Sequence, residues 1–383
     1  MTATLTAAVM LLTGCGSSNA DSNSDDTKNG RIFRLISSYD LLEPEHNGMF
    51  TLTEYGRLDF VDFDTLASMP VCDDPTCKHT PPAGSEDTLS EKDCQAYGKN
   101  GHPFIYNKKI YYLRLSDYGT DEGKYYQSSE LWQCSINGAD NRRICIFDKL
   151  TLPDYSKALL YDGSLYMLMI KQPYDTKMKD LEPSVELVRA DLKDGEVKDY
   201  GTVKSCYSIG GVMKGVSGGK VIFEVNYPET NIHFMDKVTK YAEENGVSEQ
   251  DAMQHITANE KYSFDRYELE GDTFRKCEKQ DLIGITESGC YYSENGKVRF
   301  IESDNKEQVY EIDAKDFGFY DVGDHVYLFN SEKAWLIDEQ KRECHTLKDK
   351  PEIVFIKDGQ AVVREFTTPE LPYKKIAVQE LIA

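Results

Sequence analysis

One short pattern returns along this chain: a turn of Gly, Asn or Asp, then a strand whose apolar residues alternate. It is seen in KKIYYLRLS (108–116), GSLYMLMI (163–170), GKVIFEVNY (219–227), SGCYYSENG (288–296), GDHVYLFNS (323–331) and GQAVVREF (359–366). Period-two runs rich in β-branched and aromatic residues are half-buried strands. With Tyr111, Tyr166, Ile222, Tyr291, Tyr327 and Val362 as equivalent points, the spacings are 55, 56, 69, 36 and 35 residues. The first three runs are followed by companions that read strand, polar turn, strand: ELWQCSINGADNRRICIF, VELVRADLKDGEVKDY and YSFDRYELEGDTFRKC. Four-stranded units recurring every ~40–50 residues predict an all-β fold, a β-propeller whose blades bury their faces against one another. MFTLTEYGRLDFVDF at 49–63 supplies an early unit and brings the count to seven. Six blades follow if RIFRLISS and KKIAVQELI are apportioned differently. A two-sheet sandwich or a β-solenoid competes, but the even spacing favours the propeller. Strands from both chain ends are expected to complete one blade and close the ring.

The longest spacing holds an insertion at 228–261 where the period changes. MDKVTKYAEENG and VSEQDAMQHITANE predict two short helices, with Gly246 stopping the first and Ser248 with Asp251 capping the second. Val238, Tyr241 and Ala242 share one face, as do Ala252, Met253 and Ile256. This is either an excursion packed on its blade or a knob that recognises a partner. The outline resembles a helix-turn-helix, but Glu243, Glu244, Glu249 and Asp251 oppose docking on DNA.

Charge narrows the partners. The 44 Lys and Arg stand against 66 Asp and Glu, a formal charge of −22. Such a surface repels phosphate backbones and anionic headgroups, so no nucleic acid and no polybasic membrane patch is expected. At 40% apolar residues the chain has enough to bury a large core.

The amino terminus reads as an address. MTATLTAAVMLLTGC is too short an apolar run to span a bilayer and suits a signal-peptide core. Small residues before a Cys, then the polar GSSNADSNSDDTKNG, resemble a bacterial lipoprotein lipobox, although no Lys or Arg precedes the run. That resemblance implies removal of residues 1–14 and lipidation of Cys15, with 15–30 as a polar tether and 31–383 as the propeller. The protein would then sit on the extracytoplasmic face of the cell membrane, held by lipid alone.

Nine further cysteines remain. Cys72, Cys77, His79 and Cys94 have the spacing C-x4-C-x-H-x14-C within a cysteine loop at 70–102, with His102 nearby. Three thiolates and an imidazole satisfy tetrahedral zinc. A disulfide staple suits an oxidising compartment, and free thiols are the third reading. Each makes the cluster structural rather than catalytic. PVCDDPTCKH, with the third Cys in DCQA and the run into IYYL, resembles the proline-flanked cysteine loop of uncharacterised Gram-positive lipoproteins. The resemblance implies a DUF5050 or TolB-like propeller and brings no known activity. Cys134 and Cys145 flank the NGADN turn, and a cross-strand disulfide between them requires a four-residue loop. Cys206, Cys277, Cys290 and Cys344 read as small buried apolar groups.

Catalytic signals are weak. Gly215-Val216-Ser217-Gly218-Gly219 fits the nucleophile elbow, but that motif needs a following helix, and KVIFEVNY is a strand. His233, His255, His325 and His345 have no motif around them. Trp132 and Trp335 are the candidates for stacking on a sugar face, with core packing as their alternative. The reading that results is a monomeric, cell-surface, non-enzymatic module that binds a protein or glycan. Its rivals are an extracellular propeller enzyme acting on carbohydrate and a purely structural envelope protein.

Overall fold

The computed structural model describes residues 33–36, 42–43, 46–52, 57–79, 94–99, 101–153, 156–277, 281–294, 296–302, 305–312, 317–323, 325–364 and 373–383. All belong to one unit, Ile32–Ala383; the expected signal segment, Cys15 and the tether lie outside the described residues.

Seven antiparallel sheets follow one another along the chain, each built outward from an innermost strand. Blade 1 is Leu42–Glu43, Gly48–Leu52, Leu58–Asp62 and Ser68–Pro70. Blade 2 is Gly101–Tyr106, Lys109–Leu115, Ser129–Ser135 and Arg142–Phe147. Blade 3 is Ala158–Tyr161, Ser164–Lys171, Ser184–Asp191 and Val197–Ser205. Blade 4 is Gly210–Ser217, Lys220–Pro228, Tyr262–Glu270 and Thr273–Lys276. Blade 5 is Leu282–Ile285, Gly289–Glu294, Lys297–Glu302 and Glu307–Tyr310. Blade 6 is Gly318–Asp321, His325–Phe329, Ala334–Asp338 and Glu343–Thr346. Blade 7 has three strands, Glu352–Lys357, Gln360–Arg364 and Tyr373–Ala377. This is the expected all-β propeller, with seven blades rather than six.

The core lies between blades. The points chosen for the repeat sit on second strands and pack towards the following blade: Tyr111 with Leu165 and Met167, Tyr291 with Val326 and Leu328, Tyr327 with Ile353 and Ile356.

The ring closes differently from the expectation. Blade 7 is built from C-terminal strands alone, and the N-terminal strand joins neither blade 7 nor blade 1. The closing seam is side-chain packing: Met49, Val61 and Phe63 of blade 1 meet Phe355, Val362 and Tyr373 of blade 7. The Phe63 and Phe355 rings stack at 5.2 Å.

The N-terminal strand, Phe33–Ile36, instead runs antiparallel along the inner edge of blade 3, Phe33 opposite Tyr161 and Ile36 opposite Ala158. That edge faces the propeller axis. Gly215 in the inner strand of blade 4, at φ +138°, makes room for it: a Cβ there would lie 2.8 Å from the Phe33 ring. Arg34 donates to Glu43 Oε2 at 2.5 Å and to the Ile105 carbonyl at 2.6 Å, while Glu43 Oε1 accepts from the Ile105 N–H at 2.9 Å. One buried ion pair thus ties the axial strand to the inner strands of blades 1 and 2.

The insertion is helical as expected. Helix α1 spans Phe234–Asn245 and ends on Gly246 in the left-handed region; α2 spans Glu249–Asn259, and Ser248 accepts from the Asp251 N–H. In the two helices only Val238 and Ala252 are buried; Met253 is exposed.

Removing one partner of a buried ion pair typically costs about 3–5 kcal/mol, because the other charge is left uncompensated. Arg34→Met is therefore expected to lower the thermal midpoint markedly, and Arg34→Met/Glu43→Gln to regain part of the loss. Calorimetry of the two variants checks this.

Candidate metal centre

The crossing from blade 1 to blade 2 brings the expected cluster together. Cys72 comes two residues after the outer strand of blade 1, its N–H bonded back to the Pro70 carbonyl at 2.8 Å. Asp74 then shapes a tight turn by accepting from the Thr76 N–H at 2.8 Å, and the Cys77 N–H reaches the Asp74 carbonyl at 3.1 Å. His79 takes φ +53°, in the left-handed region. Cys94 returns from the far end of the loop, much of which (80–93) lies outside the described residues.

The donor atoms of Cys72, Cys77, His79 and Cys94 all lie within 4.8 Å of one another. His79 Nδ1 stands 3.6 Å from Cys94 Sγ. Zinc bonds of ~2.0–2.3 Å in a tetrahedron put sulfur and nitrogen ligands about 3.5–3.8 Å apart, so this edge is already at that length. Two backbone N–H groups aim at sulfur, His79 to Cys77 at 3.4 Å and Ala96 to Cys94 at 3.5 Å. Donors of this kind stabilise thiolates held by a metal. The three thiols are unbridged. Burial foremost, opposed by the Ala96 N–H and assisted by Cys77 and Cys72, pushes the Cys94 thiol up to about 12.

The cluster is anchored to both blades. The Leu58 N–H donates to the Ala96 carbonyl at 2.8 Å. Arg57 grips Asp59 through Nε and Nη2 at 2.6 and 2.7 Å and reaches the His79 carbonyl with Nη1 at 2.7 Å. From blade 2, Arg114 Nε donates to the Gly98 carbonyl at 2.8 Å. Lys99 is completely buried; its amine donates to the Gln95 carbonyl and stands 5.5 Å from the Tyr112 ring centre. The local apolar core is small, Cys94, Ala96 and Tyr97 with Cys72 and Cys77 against them.

Other candidate residues fall elsewhere. In blade 2, Gln133 pairs with Arg142 and Leu131 with Cys145, so the turn is longer than the disulfide required. Cys134 packs in the core between blades 1 and 2 and Cys145 in that between blades 2 and 3, on opposite faces of one sheet. They do not pair. Trp335 is core, edge-on to Phe317 at 5.8 Å. The face of Trp132 is covered by the Arg114 guanidinium at 4.9 Å, and its indole N–H donates to Glu130 at 2.9 Å. Trp335 is thus taken up by the core, while Trp132 is half-buried against the core of blades 1 and 2. Ser217 ends a strand and enters a hairpin turn at Gly218–Gly219, its hydroxyl accepting from the Cys290 thiol at 3.3 Å. Nothing local in the sequence marks Arg57, Lys99 or Arg114 as neighbours of the cluster, since a basic residue's burial depends on what the fold lays over it.

A second built surface comes from the connections between second and third strands in blades 2, 3 and 4, at 116–128, 172–183 and 229–261. These join one another. Tyr125 and Tyr174 exchange backbone bonds at 3.0 and 2.9 Å, and the Tyr118 ring meets Tyr174 edge-on at 5.6 Å. Asn231 donates to Glu182 at 2.9 Å, and His233 lies 3.6 Å from Asp180. Tyr118, Met178, Ile232, Met235 and Tyr262 are exposed along it.

No protein-family model and no curated protein matches the chain. Among solved structures, the β-propeller domain of the Trilobed protease from Pyrococcus furiosus, described as having an open velcro topology, is similar over 88% of this chain and 88% of its own. Its identity is 13% and its TM-score 0.37. Sucrose-6-phosphate hydrolase from Lactobacillus gasseri is similar over 92% of this chain and 80% of its own, at 9% identity and a TM-score of 0.31. An exo-1,5-alpha-L-arabinanase from a bovine ruminal metagenomic library is similar over 88% and 99%, at 11% and 0.26. These are likenesses of fold.

With Cys134 and Cys145 on opposite faces of blade 2, alkylation and peptide mapping without reductant is expected to find both thiols unlinked. A Cys134–Cys145 crosslinked peptide would contradict the register.

Proposed function

We propose that this propeller is a lipid-anchored, non-enzymatic binding module on the extracytoplasmic face of the cell membrane, with a structural zinc ion at Cys72, Cys77, His79 and Cys94. Its partner is a protein or a glycan, and its working surface is the joined insertions of blades 2 to 4. The observation that carries the binding reading is that joining: three separate connections bond to one another and hold exposed aromatic and aliphatic side chains on a rigid scaffold. The axial strand supports it from the other side. Phe33, Arg34 and Ile36 are buried along the axis, where inner strands converge and a substrate would otherwise lodge. The lipobox-like run ending at Cys15 supports the anchor.

Zinc is favoured over a staple by the donor set. Three sulfurs and a ring nitrogen converge with two N–H groups aimed at sulfur. A disulfide between any two thiols would leave the third without a partner. The ion would orient the four ligands and hold the crossing closed; it has no chemical step to perform in a site with all four positions filled.

Mass spectrometry of protein extracted from membranes is expected to show a chain beginning at a diacylglyceryl-modified Cys15; a mature chain that retains residues 1–14 would overturn the anchor. Elemental analysis of the dialysed, reduced protein is expected to give one zinc per chain. Deleting 232–260 is expected to abolish capture of envelope protein or glycan by the immobilised chain while leaving its thermal midpoint close to the parent's. Undiminished capture would move the binding surface elsewhere.

A further inference from the structure

We infer that Lys99 is the buried counter-charge of an anionic zinc centre, its ammonium offsetting the negative charge of the Cys72, Cys77, His79 and Cys94 site and thereby strengthening metal binding. This rests on the zinc reading and adds to it a residue that is not a ligand.

Lys99 has no exposed surface at all. Lysine is almost never fully buried unless something pairs with its charge. Its amine donates to one carbonyl, that of Gln95, and faces the Tyr112 ring. Among the described residues no carboxylate pairs with it. Two described carboxylates around the cluster are engaged elsewhere: Asp59 holds Arg57 through both oxygens, and Asp73 accepts from Asn137. Burial foremost pushes the Lys99 amine down, and the acidic groups that oppose it and favour the ammonium are thiols, Cys134 first, then Cys94 and Cys72. With neutral thiols, or with a disulfide, this ammonium faces a carbonyl and a ring and meets no negative charge among the described residues.

Metal binding changes that balance. Zinc with three thiolates and a neutral imidazole carries one net negative charge, and its thiols lose their protons on binding. One buried ammonium beside it restores neutrality inside the fold. Arg57 does not serve, because Asp59 already answers its charge. Lys99 lies five residues after Cys94 in the same loop, so the residue that closes the site also delivers its counter-charge.

The test uses the full chain, reduced and stripped of metal, with zinc affinity read by competition against a chromophoric chelator and cobalt(II) as a spectroscopic substitute. Lys99→Met is expected to weaken zinc about 10–100-fold, the range seen when a group supporting the ligands is removed. Lys99→Gln, which keeps a donor for the Gln95 carbonyl, is expected to lose as much, and Lys99→Arg to stay within a few-fold of the parent. The cobalt–thiolate charge-transfer band is expected to keep its shape in all three, since the ligands are unchanged. Cys134→Ala is expected to leave affinity unaltered. Lys99→Met and Lys99→Gln binding zinc as tightly as the parent would overturn the role of Lys99 and leave the zinc reading standing. A loss produced by Cys134→Ala and not by either Lys99 variant would assign the ammonium to Cys134 instead. A parent chain that takes up neither zinc nor cobalt would overturn the zinc reading itself.

Discussion

The axial strand is the constraint on which the rest of this propeller depends. Seven inner strands face an axis, and here Phe33, Arg34 and Ile36 are buried along the inner edge of one of them. Because the N-terminal strand is spent on blade 3, it is not available to complete blade 7, and the ring closes through Phe63, Phe355 and their neighbours. The Arg34–Glu43 pair couples these two facts. It binds the axial strand to blade 1, the blade that must meet blade 7 for the ring to shut. A buried ion pair is a weak source of net stability, but breaking it is costly, which makes it a device for register more than for energy.

That arrangement bears on function. Away from the axis, three neighbouring blades carry long connections between their second and third strands. Their backbone bonds and ion contacts make one surface from three loops. The cysteine crossing solves a different problem. Between blades 1 and 2 the chain makes a long excursion, and Cys72, Cys77, His79 and Cys94 from its two ends lie together.

Much of the architecture was legible because repeated burial leaves a repeated pattern. Tyr111, Tyr291, Tyr327 and Val362 all lie on second strands and all pack into the next seam, so spacing alone located equivalent strands. The cluster was legible as a group of four residues, but the spacing alone left a metal, a disulfide and free thiols all open. What was not legible depends on distant pairing. RIFRLISS reads as a strand, but nothing local says that its partner is Ala158–Tyr161. The Cys134–Cys145 register failed because Gln133, not Asn137, pairs with Arg142, and the two thiols end on opposite faces. Lys99 reads as solvated until Tyr112 of blade 2 is laid over it.

The account stands most directly on what occupies the four-residue cluster. X-ray absorption at the zinc edge of the purified, metal-replete chain reads the ligands themselves. The expected shell is three sulfurs at about 2.3 Å and one nitrogen at about 2.0 Å. A shell of oxygen and nitrogen alone, or zinc that leaves while two of the cluster thiols prove to be crosslinked, would contradict it.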